Sequence, residues 1–266
     1  MKRVAKYLEM FKVTVLSTLV YIQDMLARQA FLVVVMYVFV QLWTTTYRWE
    51  GSSTISGFSM AQMIWYLALA ESIVMGMSRS AADIDQEVKS GALAYSLTKP
   101  YNYLLFHYAK YMGDSMMRFF TSLLVAGAVA WITVGPPVFI TAASVAAGMI
   151  AVLLGFTMDC CVQLALGLTA FWVEDTWGFR ILYSRITMLL GGMMLPLDVF
   201  PAWLTSVASV LPTSGIVYGP VTTFVRFSAQ DWAALLARQS LWIVALYALA
   251  SSVYGMGVKR VNVQGG

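Results

Sequence analysis

Two carboxylates sit in stretches of the chain that are otherwise free of charge, and any chemistry the protein does starts with them. Glu71 interrupts the apolar run 58–78, and Asp159 interrupts the run 138–173. An ionisable side chain inside a membrane-spanning helix costs about 2.5–3.5 kcal/mol on insertion scales, so it is retained for a reason. One reason is a polar path, in which the acids bind a proton, a cation or the polar group of a cargo. The other is a structural pair, for instance Asp159 with Arg185 or Arg118. Glu71 precedes Arg79 by about 12 Å of helical rise, deep enough to lie in hydrocarbon.

Chemistry of other kinds is missing. No glycine is followed by lysine, so the phosphate-cradling loop G-x-x-x-x-G-K-[ST] is absent. His107 is the single histidine, and no G-x-S-x-G turn accompanies it. Cys160 and Cys161 are adjacent inside an apolar run, which excludes a disulfide framework and a four-ligand metal site and leaves them as small packing residues. The chain therefore reads as no enzyme, with no cofactor of its own, and any use of ATP must come from another subunit.

The elements that position these residues follow from composition. Of 266 residues, 60% are hydrophobic and 11% charged, against roughly 25% charged in a soluble domain. That is too little polar surface to cover a globule in water, so the chain is an integral membrane protein of the all-α class. A net charge of +4 does not make nucleic acid an expected partner, because the basic residues are gathered by topology. A spanning helix uses about 20 apolar residues. Six charge-poor stretches qualify, at about 30–47, 58–78, 115–134, 138–173, 181–197 and 232–257. They form a single transmembrane domain, 29–266.

Residues 1–28 differ. Val4, Leu8, Phe11, Val15, Leu19 and Ile22 make one helical stripe, with Lys2, Lys6, Glu9 and Lys12 off it, the pattern of an amphipathic interfacial helix. The first long apolar run begins only at Phe31, so a cleaved signal peptide is not expected. An even number of spans puts both termini on one side. With the amino terminus inside, only Arg48, Arg226 and Arg238 of the 17 Lys and Arg fall outside, which makes both termini cytoplasmic by the positive-inside rule. The run 138–173 would measure about 54 Å as one helix, against a hydrocarbon core of about 30 Å. Either it tilts and projects into the cytosol, or it breaks near Gly155 or Gly167.

Two segments are not spans. In the inner loop 79–112, Ser80 is placed to cap a short helix over about 81–90, with Asp83 and Asp85 in its first turn and Gly91 as its stop. Ile84, Val88 and Leu93 give it an apolar edge. It is either a cytoplasmic helix offered to a partner or a linker on the membrane surface. Farther along, Pro196, Pro201, Pro212 and Pro220 prevent one continuous helix. The ten residues AWLTSVASVL between Pro201 and Pro212 are too short to span and too apolar for a free loop, which fits a re-entrant helix. Met188, Met193 and Met194 before Pro196 are adaptable packing residues that would also suit a path for varied apolar cargo.

The loop text EVKSGALAYSLTKPYNYLL resembles the signature of the ABC-2 type permease superfamily, closest to its six-span "ABC-2 family transporter protein" branch. GGMMLPLDVFPAWLTSVASVLPTSGIVYGP is similar to that family's pattern between spans five and six. The resemblance implies an exporter of the bacterial cytoplasmic membrane. It would have two such permease subunits, identical or different, driven by two separate ATPase subunits that bind ATP and Mg. It makes the loop helix a coupling helix, with Asp83, Ile84, Asp85, Glu87, Val88 and Gly91 as contacts. Residues 1–28 become a connecting helix and Pro201–Pro212 the extracellular re-entrant segment. Glu71, Asp159, Met193, Met194 and Trp203 are the residues expected along the cargo path. Cargo stays open among lipid, glycan precursor, drug and peptide. A proton-coupled secondary transporter using Glu71 and Asp159, and a scaffold subunit that moves nothing, are the competing readings.

Overall fold

A computed structural model describes residues 2–20 and 22–264; within these, the side chains of 2–5, 18–20, 22, 24, 25 and 261–264 are outside the described set. Val4, Leu19, Ile22 and Lys2 of the expected stripe therefore lie beyond what can be compared. In chain order the elements are α1 (Lys2–Val20), α2 (Ile22–Glu50), a two-strand hairpin β1 (Thr54–Ile55) and β2 (Phe58–Ser59), α3 (Met60–Gly76), α4 (Ser80–Lys89) and α5 (Ala92–Leu97). Then follow α6 (Tyr103–Val134), α7 (Ala142–Leu168), α8 (Trp177–Leu190), α9 (Ala202–Val210), α10 (Pro212–Ile216), α11 (Tyr218–Val225) and α12 (Ala229–Gln264). Apart from that antiparallel hairpin, the described fold is helical.

Among the described residues five helical stretches are long and apolar enough to cross a membrane: Leu26–Glu50, Met60–Lys89, Tyr103–Val134, Ala142–Phe171 and Ala229–Arg260. A sixth is obtained if the bent pair Ala202–Val210 and Pro212–Val225, angled at 75°, counts as one. Met60–Lys89 is not one rod. Met77 turns to extended backbone at ψ 123° and α4 starts afresh at Ser80. We call the face carrying α4 the basic face.

The expected fifth span, 181–197, is corrected. Its helix is α8, which begins earlier and has 14 residues, about 21 Å of rise against a core of about 30 Å. The helix stops because Gly191 and Gly192 follow Leu190; Gly192 takes φ 82°, a left-handed conformation that favours glycine. Backbone without helical bonds at this depth needs partners from protein. Tyr66 donates to the Gly192 carbonyl at 2.5 Å, and the Tyr218 amide donates to the Gly191 carbonyl at 2.9 Å.

Of the two breaks considered for the run 138–173, the one near Gly167 is found and the one at Gly155 is not. Pro136 and Pro137 keep the start of the run out of helix, and Thr141 caps α7 in a reciprocal box with Ser144. From there the helix passes Gly155 unbroken and ends at Leu168, after 27 residues. Residues 1–28 divide: α1 stops at Val20 and packs along α6, and the remainder belongs to α2.

α3 lies along α6, and α7 along α12. α10 reaches the middle of α7, where a Cβ at Gly155 would sit 3.0 Å from the Ile216 carbonyl oxygen and 3.3 Å from its Cα. Gln239 of α12 ties α10 to α7 there, donating to the carbonyls of Gly215 at 2.8 Å and Ala151 at 2.9 Å. The AWLTSVASVL segment thus descends as α9, and the chain returns as α10 and α11. Because the neighbours of Gly155 are backbone atoms that cannot rotate away, Gly155→Leu is expected to destabilise by about 1–3 kcal/mol. Gly178→Ala, with nothing within 4 Å of the added Cβ, should leave stability unchanged. Thermal unfolding of the two variants in detergent checks the contrast, and equal melting would refute the close packing of α10 on α7.

Candidate functional site

α4 is fastened to the bundle along one side and open along the other. Ile84 is fully buried, and Gly167 of α7 lets it in: a Cβ at Gly167 would meet the Ala81 carbonyl at 2.9 Å and Ile84 Cβ at 2.7 Å. Asp85 is buried and accepts from Lys89 Nζ at 2.8 Å. Glu87 and Val88 are half-buried. The Glu87 carboxylate accepts from Tyr103 Oη at 2.9 Å and from His107 Nε2 at 3.2 Å. Burial pushes that carboxyl up, but the hydrogen bond and charge of His107, with the Tyr103 bond and the Lys110 charge, outweigh burial and hold it below the ordinary carboxylate range. Asp83 is exposed and paired with Lys110 at 2.7 Å.

The expected cap is also corrected. The helix begins at Ser80 itself, Arg79 stands at the N-cap without a side-chain bond, and Ser80 Oγ is buried without a partner. At the other end Gly91 takes φ 74° with open space around it and joins α4 to α5. Of the coupling residues named from sequence, Asp83 and Gly91 are exposed, whereas Ile84 and Asp85 face inward. The open surface continues through Gln86 and Ser90 onto Tyr95 of α5, which is 69% exposed.

The two intramembrane acids have different surroundings. Asp159 of α7 accepts from Tyr183 Oη of α8 at 2.5 Å and from Tyr111 Oη of α6, so three helices meet on one carboxylate. Its partners are tyrosines, not the arginines considered from sequence: Arg118 is bound to Asp114 at 2.7 Å, and Arg185 is exposed beside Met188. Glu71 is fully buried on α3, and neither of its carboxylate oxygens has a partner. No hydrogen bond joins the two acids. Met193 is half-buried, Met194 is 38% exposed and Trp203 is 70% exposed; all three follow Gly192 in the chain.

A feature missed from sequence lies on α8. Arg180, Tyr183, Ser184 and Thr187 stand at i, i+3, i+4 and i+7 and line a cavity of about 410 Å³ together with Gln163 of α7 and Arg79. Phe179, Leu182 and Leu189 occupy the other side and are exposed. This helix turns Arg180, Tyr183 and Thr187 toward the bundle, and on its outer side the charged Arg185 is exposed between Leu182 and Leu189. The helical period of the polar residues was the available signal; the overall apolarity of the run hid it.

The described residues thus form an all-helical array with five candidate membrane spans, or six if the bent pair Ala202–Val210 and Pro212–Val225 counts as one. The family model described as "ABC-2 family transporter protein" matches residues 31–265, from within α2 to the end of α12. No curated protein matches the chain. The chain belongs to the ABC-2 family of transporter proteins and is a multi-pass membrane protein.

Proposed function

We propose that the chain is the permease subunit of an ATP-driven exporter. It carries an amphipathic or hydrophobic cargo outward by alternating access, with a second permease subunit beside it and two ATPase subunits holding ATP and Mg. The basic face is then the cytoplasmic one. The observation that carries this reading is the two-sided character of α4. Its inner side is fixed to α6 through Glu87 and to α7 through Ile84, and its outer side, continued by Tyr95, is free for a partner. Nucleotide can shift a two-state permease only through contacts that differ between the states, and a rigidly attached helix passes such contacts on to α6 and α7. Arg185 on α8 is exposed beside the apolar Leu182 and Leu189. A charged side chain is costly against lipid, which supports a second permease subunit on that side.

The unpartnered Glu71 favours one other reading, a proton-coupled transporter. It requires transport under a pH gradient without nucleotide, and loss of that transport in Glu71→Gln.

Co-purification separates the two. The wild-type chain is expected to bring down a subunit with a phosphate-binding loop from mild detergent. Gln86→Ala with Tyr95→Ala should lower that recovery about tenfold, the loss of roughly 1.4 kcal/mol at an interface. Recovery of no ATPase by the wild type would sink the exporter reading. Glu87→Lys puts a cation against His107 and Lys110, and should abolish coupled transport in a reconstituted complex while ATP hydrolysis continues. Coupled transport at the wild-type rate would remove Glu87 from the transmission.

The attachment of α4 also has a pH signature. A carboxyl whose folded pKa is depressed contributes stability that is present above its unfolded value and is lost as pH falls through the lowered one. Hydrogen-exchange protection of Ser80–Lys89, corrected for intrinsic rates, should hold from pH 8 to pH 5 and fall below about pH 4. In Glu87→Gln that acid step should vanish. The same step in both proteins would assign it to other carboxylates.

A further inference from the structure

The cavity beside α8 holds two cations and no acid. Arg79, from the joint between α3 and α4, and Arg180, from the first turn of α8, line it without any Asp or Glu among the lining residues. Among the described residues neither arginine makes an ion pair. Two other cations of this region are paired: Lys110 with Asp83 at 2.7 Å and Arg118 with Asp114 at 2.7 Å. The Nε of Arg180 is buried without a partner, and so is Oγ1 of Thr187, whose residue is only 2% exposed.

Arg79 is the N-cap residue of α4 and Arg180 lies in the first turn of α8, just before which Asp175 stands 3.9 Å from Lys89 of α4, so both arginines lie toward the basic face. Val74, Met75 and Ile181 form an apolar wall beside them, and Gln163, Ser184 and Thr187 add neutral hydrogen-bonding groups. A volume of about 410 Å³ falls within the range of small-molecule sites, roughly 300–1,000 Å³. Two guanidinium groups sharing a half-enclosed space repel each other, and a phosphate, which guanidinium binds in bidentate fashion, removes that repulsion. Basic pockets between membrane helices are suited to anionic head groups in the same way.

We propose that this cavity binds the phosphate-bearing head group of an anionic amphiphile. Arg79 and Arg180 hold the phosphate, and Val74, Met75 and Ile181 cover the start of the hydrocarbon chain. The proposal does not depend on what drives transport, and its test uses neither nucleotide nor an ATPase, so it can fail while the exporter reading stands.

Calorimetric titration of the purified full chain, in an uncharged detergent, with dioctanoylphosphatidylglycerol, dioctanoylphosphatidylcholine and inorganic phosphate provides that test. The phosphatidylglycerol should bind about thirtyfold more tightly than the phosphatidylcholine, and inorganic phosphate about tenfold more weakly than the phosphatidylglycerol. Arg79→Gln and Arg180→Gln should each weaken phosphatidylglycerol binding about fivefold, and the double variant about thirtyfold. Arg48→Gln, which removes the same charge from the opposite end of the molecule, should change nothing. Equal affinity for the two lipids, or wild-type binding by the double variant, would overturn the site. An equal loss in Arg48→Gln would reduce it to general charge attraction, and phosphate binding as tight as the lipid's would eliminate the apolar wall; either overturns the proposal as stated. If the double variant does not fold, the single variants and the wild-type lipid comparison decide the question alone.

Discussion

Hydrocarbon offers no hydrogen-bond partner, and the rest of this structure follows from that constraint. A chain that leaves helical geometry at membrane depth must find donors and acceptors within the protein. Here it does so in two connected places. The turn after α8 is met by Tyr66 and by the Tyr218 amide, and the turn between α9 and α11 is met by Gln239. Two of these three donors, Tyr66 and Gln239, come from the long helices α3 and α12, which thereby hold the irregular half of the molecule from the side. The proline-rich segment keeps its apolar composition for the same reason: its side chains pack against helices while its backbone is satisfied from the side.

The polar residues divide into those that fasten and those that remain available. Asp159 fastens, since Tyr111 and Tyr183 both donate to it and bind α6, α7 and α8 at one point. Glu87 fastens α4 to α6 in a similar manner. Glu71, Arg79 and Arg180 are not answered by neighbouring charges among the described residues. A protein that keeps unanswered polar groups in or beside a membrane accepts a cost in stability, and such groups mark the places where something other than this chain completes the structure.

Much of the architecture was legible in the sequence because charge is so scarce. The helices at 22–50, 60–76, 103–134, 142–168 and 229–264 all cover the apolar runs, and the loop helix at 80–89 was visible from Asp83, Ile84, Val88 and Gly91 together. Three things were not legible. The fifth run ended early because Gly191–Gly192 admits a left-handed turn, and hydropathy does not register backbone freedom. The partners of Asp159 are tyrosines, which are common at membrane interfaces and carry no charge to draw attention. Which side of α4 faces outward depended on Gly167 admitting Ile84, a contact between residues far apart in the chain.

The shortness of α8 has a consequence for the lipid around it. Its outer side, with Phe179, Leu182 and Leu189, is exposed, and 14 helical residues supply about 9 Å less hydrophobic length than the bilayer core. Lipid beside a short segment thins locally, at a cost of fractions of a kcal/mol per ångström. Thinning is one way to match a helix of this length; a protein neighbour is the other, and Arg185, exposed between Leu182 and Leu189 on that same side, suits a protein neighbour better than acyl chains.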